Sequence, residues 1–573
     1  MKTNKVYIPN HLKKYVVNQN YDSYTNIDHA CWRFILKISI NFFSEHAHSS
    51  YKEGLKKTGI TINKIPRIDR INQKLKKLGW RAICVRGFIP PNVFMEFQSL
   101  KILPLAADMR SHKHLTYTPS PDIVHEAAGH APIIANKDYS DYLTYYGEIA
   151  NKAIISNEDM NLYYAIRDLS DIKENINATS KDIKKCEANL KRAYKKISYI
   201  SESACLSRMN WWTVEYGLIG SINKPKIYGA GLLSSVAESE NCLNKKIKKI
   251  NFDINCINYK YDITEQQPQL FITSSFKKLT KELKKLSKKM SYKIGGLHGL
   301  KTALKAKTLC TVEIDNQIQV SGIVESFISE NKEINFVQLS GPCQISLNQK
   351  QLSIHGPEYH SNGYSSPIGK LKQFNKSINE LSKDELAQLN IFKDSKVNLE
   401  FNQKINVSGK IKKIIKRNSQ IILITLEDCT VKKNNTILFN KLWGNYDLVC
   451  GSKITSVYGG AADKKNYYKN LEIDQKYQIY NLSDKKQDVK IVNFYDEIAI
   501  LKKTKSIPML YKLYKKVNKY SIDDWLLKYQ FLEATNCNKN IKWINEIYNE
   551  LHLLSQNNTD LGRAVKRGLM LFR

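Results

Sequence analysis

Hydrophobic and polar positions change rhythm along this chain. Between residues 151 and 205 there is no Gly or Pro, and apolar or small residues recur at 172, 176, 183, 186, 190, 193, 197 and 200, with Thr179 in the remaining slot. That alternation of four and three is the heptad seam of paired helices, and lysines cover much of the rest. It predicts a helical insertion, either packed on its own domain or projecting as an arm for self-association. A Lys-rich helix over Phe276–Lys289 follows, and Gly295-Gly296-Leu297-His298-Gly299 reads as a linker. Beyond it the alternation is that of strands separated by Asn/Gly turns. From about residue 480 the texture is helical again. Ser521 is the expected N-cap, with Asp523 and Asp524 in the first turn, and Ile541–Tyr548 is amphipathic.

The strand-rich stretch repeats itself. Thr311–Gly322 recurs as Asn398–Gly409 at an offset of 87 residues without a gap, and Asn331, Ile334 and Leu339 find Asn418, Ile421 and Leu426 at the same offset. Two small β-barrel or sandwich modules are the expectation. The chain then divides into an N-terminal tail (1–20), a domain over 21–290 carrying the insertion 151–205, β modules over 291–390 and 391–480, and a helical C-terminal region over 481–573. With 573 residues and 42% hydrophobic content, several packed cores are expected.

Composition narrows the setting. The best candidate for a membrane segment, Phe34–Ile40, is broken by Lys37 and falls well short of the roughly 20 apolar residues a span needs. Met1–Lys5 lacks the apolar core of a secretory signal. Eleven scattered cysteines without a C-x-x-C pair are expected as free thiols in a reducing compartment, hence a cytoplasmic location with no membrane partner. The net charge of +35 comes mainly from lysine, alongside abundant Asn and Ile. That is what an A/T-rich coding sequence produces, and no Arg-rich groove, zinc finger or RNA-binding aromatic motif accompanies it. Nucleic acid is therefore not an expected partner.

The strongest chemical signal is local. His125 and His130 sit in the string Thr118-Pro119-Ser120-Pro121-Asp122-Ile123-Val124-His125-Glu126-Ala127-Ala128-Gly129-His130-Ala131-Pro132. Zinc-protease helices place their histidines four apart on one face. Here they are five apart, about 140° round a regular helix at roughly 100° per residue, so a shared metal requires a distorted turn, which Gly129 eases. A third candidate, Glu215, lies in Trp211-Trp212-Thr213-Val214-Glu215-Tyr216-Gly217-Leu218. Two neutral imidazoles and one carboxylate on one face of an octahedron leave open positions, the arrangement that suits non-haem Fe(II). The other histidines show no second metal-like cluster, and His112 and His114 read as neighbours of the site.

These blocks, taken with Gly79-Trp80, Arg86-Gly87-Phe88-Ile89-Pro90-Pro91-Asn92-Val93-Phe94, Tyr228–Ser235 and Gln267-Pro268, resemble the tetrahydropterin-dependent aromatic amino acid hydroxylases over about Tyr21–Met290. The resemblance covers about half the chain, and bacterial phenylalanine 4-hydroxylases are the most similar members. It implies a mainly α catalytic domain, with the β-rich region of two repeated modules and the helical C-terminus lying outside it. It implies Fe(2+) held by His125, His130 and Glu215, with Asp122 orienting a ligating imidazole. Arg110 is implied as the clamp on the substrate carboxylate, a task for a planar guanidinium. Thr118 and Ser234 would hold the amino acid backbone, and Trp211 would line the aromatic pocket. Gly87, Phe88, Ile89, Phe94 and Glu126 would surround tetrahydrobiopterin or a related reduced pterin. The implied reaction consumes O2 and hydroxylates a free aromatic amino acid.

Ile263 stands where the tyrosine hydroxylases carry an acidic residue, which favours phenylalanine, and Pro104 is similar to the bacterial phenylalanine enzymes. The chain departs from the family at Asn210, where an aromatic is usual, and in the long gap between His130 and Glu215. Tryptophan or tyrosine hydroxylation remains an alternative, as does a degenerate metal domain inside a binding scaffold. Self-association is assigned to the 151–205 insertion or the C-terminal region.

Overall fold

A computed structural model describes residues 7–87, 89–111, 115, 121–174, 178–262, 266–469 and 489–572. The long helix Asn26–His46 starts at a reciprocal cap, in which the Thr25 hydroxyl accepts from the Asp28 amide and the Asp28 carboxylate accepts from the Thr25 amide. The broken apolar run of the sequence is the inner face of this helix, with Phe34, Ile35, Leu36 and Ile38 buried. Lys37 swings out to pair with Glu533, which also receives Lys502 at 3.0 Å.

Both ends of the chain build this helical half. The helices Val489–Thr504, Ile507–Lys519, Trp525–Ala534, Lys542–Gln556 and Asp560–Met570 share one hydrophobic core with Asn26–His46 and the elements around it. Phe34 lies edge-on to Trp525 at 5.1 Å and to Tyr529 at 4.7 Å, a favourable aromatic geometry. Arg567 donates to the carbonyls of Ile38 (3.1 Å) and Val236 (3.0 Å). Two small sheets complete this half. One is the parallel pair Arg81–Val85 with Ile102–Ala106, and the other joins Leu218–Ser221, Lys224–Ile227, Gln269–Thr273 and Lys248–Asn251.

Several local expectations are corrected. Residues 7–20 are not a tail, because the short helix Asn10–Tyr15 buries Leu12 and Tyr15 against Ile83, Val85 and Phe97. The cap of Trp525–Ala534 is Asp524, whose carboxylate accepts from the amides of Leu526 and Leu527. Ser521 lies further back at φ +50°. The expected linker at 295–299 is mostly helix, Gly296–Ala306. Gly295 turns the chain into it at φ +62°, where a Cβ would meet the Thr455 carbonyl oxygen at 2.4 Å.

The insertion is a hairpin rather than one continuous seam. Asn157–Glu174 and Ser180–Lys196 pack side by side, and Thr179 is the N-cap of the second helix in a reciprocal cap with Asp182. Ile183, Cys186, Leu190 and Ala193 are half-buried. Lys173 faces Glu187 across the hairpin at 3.5 Å, and position 176 lies outside the described residues.

The β-rich region holds two antiparallel sheets. Leu309–Ile314, Ile318–Glu330 and Glu333–Leu347 form successive hairpin-linked strands of the first. Lys396–Phe401, Ile405–Arg417 and Gln420–Lys433 do the same in the second, each starting 87 residues later. The division at 390 does not separate the sheets, since Ile454–Gly459, sequentially beyond the second, pairs with Leu309–Ile314 in the first. The following segment leans on the helical half. The Gly459 amide donates to the Lys152 carbonyl at 3.0 Å, and a Cβ on Gly459 would meet the Ala153 carbonyl oxygen at 2.4 Å.

Candidate active site

The two histidines meet because the turn carrying them is wider than an α-helix. Val124–His130 is π-helical, with hydrogen bonds five residues apart, as in Ala131 N–H to Glu126 C=O. Residue i+5 then stacks over residue i, so His125 and His130 come to one face. Gly129 permits the close approach of a second element, since a Cβ there would lie 2.7 Å from the Ala230 carbonyl oxygen. Glu215 ends a second π-helical turn, Trp211–Glu215, closed by Tyr216 N–H to Trp211 C=O at 2.8 Å.

The three candidate ligand atoms form a small triangle. Nε2 of His125 and Nε2 of His130 are 3.1 Å apart, and each is 3.4 Å from an oxygen of Glu215. Cis ligands about 2.1 Å from one octahedral ion lie roughly 3 Å apart, so the triangle matches one face of a first-row divalent ion. Burial lowers His125 to about 4, making it a neutral donor. Burial opposes charge on His130 as well, but Glu215 outweighs it and raises that imidazole to about 9. Burial likewise works against ionised Glu215, yet the two imidazoles hold it at about 2. The carboxylate and the His130 imidazole thus favour each other's charged forms, giving the cluster an anionic donor suited to a cation.

Supporting contacts differ from the expected assignment. His125 Nδ1 meets the Ser234 hydroxyl at 2.9 Å, so Ser234 orients the His125 imidazole. Asp122 instead takes the Arg110 guanidinium, Nε to Oδ2 at 2.6 Å and Nη2 to Oδ1 at 2.8 Å. It also accepts from the His125 backbone amide at 3.0 Å. Arg110 Nη1 donates to the Ser234 carbonyl at 3.1 Å.

These groups face a cavity of about 970 Å3, within the range of small-molecule sites. Phe94, Ile89, Glu126, Arg110 and Trp211 line it. Gly87, at φ +57°, is not among the residues that line it. Trp211 is stacked between Tyr216 (4.7 Å) and Tyr261 (4.4 Å), and its Nε1 donates to Gln267 at 3.2 Å. Glu126 presents a buried Oε2 without a hydrogen-bond partner, and burial pushes its carboxyl up to about 7. Asn210 also lines the cavity with a buried, unpartnered Oδ1. Phe88, Thr118 and Ile263 lie outside the described residues.

Sequence reasoning missed Tyr261 and the rim. Lys464, from the segment after the last strand of the first sheet, donates to Glu96 at 3.0 Å and to Asn151. Glu96 also meets His11 at 2.8 Å. No local spacing signals such a contact between segments hundreds of residues apart.

Residues 7–150 and 198–296 match the family profile described as biopterin-dependent aromatic amino acid hydroxylase. The interruption falls on the helical hairpin. The phenylalanine-4-hydroxylase of Chromobacterium violaceum is 28% identical over 268 residues, covering 46% of this chain and 75% of the relative. That of Pseudomonas aeruginosa is 26% identical over 272 residues, covering 46% and 87%. A crystal structure of the C. violaceum enzyme, described as having bound iron(III) and oxidised 7,8-dihydrobiopterin, aligns at 25% identity and a TM-score of 0.38, over 49% of this chain and 92% of that one.

Proposed function

We propose that this chain, whose residues 7–150 and 198–296 belong to the biopterin-dependent aromatic amino acid hydroxylase family, is a phenylalanine 4-monooxygenase. The observation that carries the reading is the convergence of His125, His130 and Glu215 on the wall of a cavity also lined by Arg110 and Trp211. His125, His130 and Glu215 would hold Fe(2+), and Phe94, Ile89 and Glu126 would border a reduced pterin. Together those groups, when bound, supply the two-electron activation of O2 that places one oxygen atom on an aromatic ring.

The protein's own part is positioning. Ser234 fixes the His125 ring through Nδ1 and leaves Nε2 for the ion. Asp122 fixes Arg110 through Nε and Nη2. A bidentate grip on a substrate carboxylate by the outer edge of the guanidinium then requires Nη1 to release one of its two carbonyl partners, Ser234 and Leu115. The Tyr216–Trp211–Tyr261 stack gives the cavity an aromatic wall. The Lys464–Glu96 contact holds the β-rich region against the cavity rim.

The strand starts 87 residues apart support reading the two sheets as copies of one module. Eleven free thiols support a cytoplasmic setting. Among the described residues no helix is long and apolar enough to cross a membrane.

The test is anaerobic Fe(II) reconstitution, then O2 and tetrahydropterin with phenylalanine, tyrosine or tryptophan in parallel and products identified by mass. Tyrosine formed only with both iron and pterin is the expected result. Product from another amino acid would keep the family chemistry and revise the substrate, and no product from a chain holding one iron would overturn the reading.

A further inference from the structure

The sequence offers no second metal-like cluster among the histidines, but the fold assembles one. His355 and His360 lie in the connection between the strands Lys350–Gln351 and Gly363–Pro367 of the first sheet. Both are hung from the long strand Glu333–Leu347. The Ile345 amide donates to the His355 carbonyl and the Cys343 amide to the His360 carbonyl, each at 2.9 Å. Asp447 comes from Tyr446–Val449, which pairs with Gln420–Lys433 of the second sheet. The three side chains are buried, at 0%, 8% and 4% exposure.

Their donor atoms converge. His355 Nδ1 is 3.3 Å from His360 Nε2, and these nitrogens lie 3.8 and 3.9 Å from Asp447 Oδ2. Ligands about 2.0–2.2 Å from a tetrahedral ion stand roughly 3.4 Å apart, so the triangle is that of a site slightly open around one ion. Hydrogen bonding among the three accounts for it poorly. One N–H can bridge the two imidazoles, but both contacts to Oδ2 are too long for a hydrogen bond. Meanwhile the Thr425 hydroxyl donates to Asp447 Oδ1 at 2.6 Å, turning Oδ2 toward the imidazoles as an outer partner does for a metal-ligating carboxylate.

We propose that His355, His360 and Asp447 form a site for a divalent cation of the zinc class, with a water completing the tetrahedron, which ties the first β sheet to the second. The spacing of its histidines repeats that of His125 and His130, yet no side chain is shared with the catalytic cavity. Asp447 also has the Tyr359 hydroxyl as a hydrogen-bond partner, so the ion would add three metal–ligand bonds to a carboxylate already oriented by two hydroxyls.

The test uses the full chain, stripped by chelator and titrated with Zn2+ alone, with bound metal measured by mass spectrometry. Wild type should hold about two ions, the double variant His125→Gln/His130→Gln about one, and His360→Gln or Asp447→Asn about one. Co2+ titration of the His125→Gln/His130→Gln variant, in which the β-rich cluster is intact, should yield the visible bands of a tetrahedral N/O site. That arm does not depend on the folding of the cluster variants. A wild-type chain holding a single ion, lost entirely in the His125→Gln/His130→Gln variant, would overturn the proposal. So would unchanged two-ion binding by both His360→Gln and Asp447→Asn.

Discussion

Asp122 grips Arg110 edge-on, Nε to Oδ2 at 2.6 Å and Nη2 to Oδ1 at 2.8 Å, with both side chains almost completely buried. Asp122 also accepts from the backbone amide of His125, so one carboxylate sets the position of the turn that carries His125 and of a guanidinium at the cavity. Burial alone would raise the Asp122 carboxyl, but the Arg110 guanidinium outweighs it and lowers it below its usual value.

Breaking this pair should be costly. Asp122→Asn leaves a buried guanidinium uncompensated, and removing one partner of such a pair costs on the order of 3–5 kcal/mol. A lowered thermal midpoint and weakened metal binding are expected together. A variant matching wild type in both calorimetry and iron titration would disprove the shared role.

Arg110→Lys keeps the charge but loses the planar fork. KM for the amino acid should rise about tenfold or more, the equivalent of a charge-assisted hydrogen bond, while iron content stays near that of wild type. Steady-state kinetics alongside metal analysis separates the two. An unchanged KM would remove Arg110 from the substrate-binding group.

At the iron face, Glu215→Gln should nearly abolish activity and weaken iron binding, because the neutral amide is a poor partner for a divalent ion. Ser234→Ala should act more mildly, lowering metal affinity roughly 10–100-fold through loss of the His125 Nδ1 contact. Iron titration of both variants checks the order. Glu215→Gln with full iron and turnover would refute the ligand assignment.

The C-terminal helices should be indispensable to the catalytic half. Phe34→Ala opens a cavity between Asn26–His46 and Trp525–Ala534 and should cost about 3–5 kcal/mol, read from denaturant unfolding. A chain ending at residue 488 strips the cover from Phe34 and should be insoluble. Stable, soluble protein from that truncation would show the core to be separable.

Acid should loosen the fold through His29. Its imidazole is buried, its Nδ1 accepts from the Ile65 amide at 3.3 Å, and burial lowers it to about 4. The unfolded chain, with an ordinary value near 6.5, then binds the proton first, so stability falls as pH drops from about 6.5 towards 4. His29→Gln should flatten the thermal midpoint against pH in that window. An identical slope would assign the acid sensitivity elsewhere.

What the sequence determined by itself is local chemistry and local periodicity. His125, His130 and the Glu215 block are legible as ligand types, and the five-residue spacing already demands a widened turn, which the π-helical geometry provides. Strand alternation and the 87-residue offset place the hairpins of both sheets, because side-chain alternation is written residue by residue. Tertiary structure decided the rest. Ser234 rather than Asp122 faces the His125 imidazole, since which hydroxyl reaches a ring depends on how two turns pack. Thr179 is a cap rather than a seam residue, because a hairpin and a long helix share nearly the same heptad pattern. The chain's two ends fuse into one core around Phe34, and Asp447 arrives beside His355 and His360 from another sheet. Those contacts join residues far apart in sequence, where no periodicity acts and only the burial of matching surfaces selects the partner.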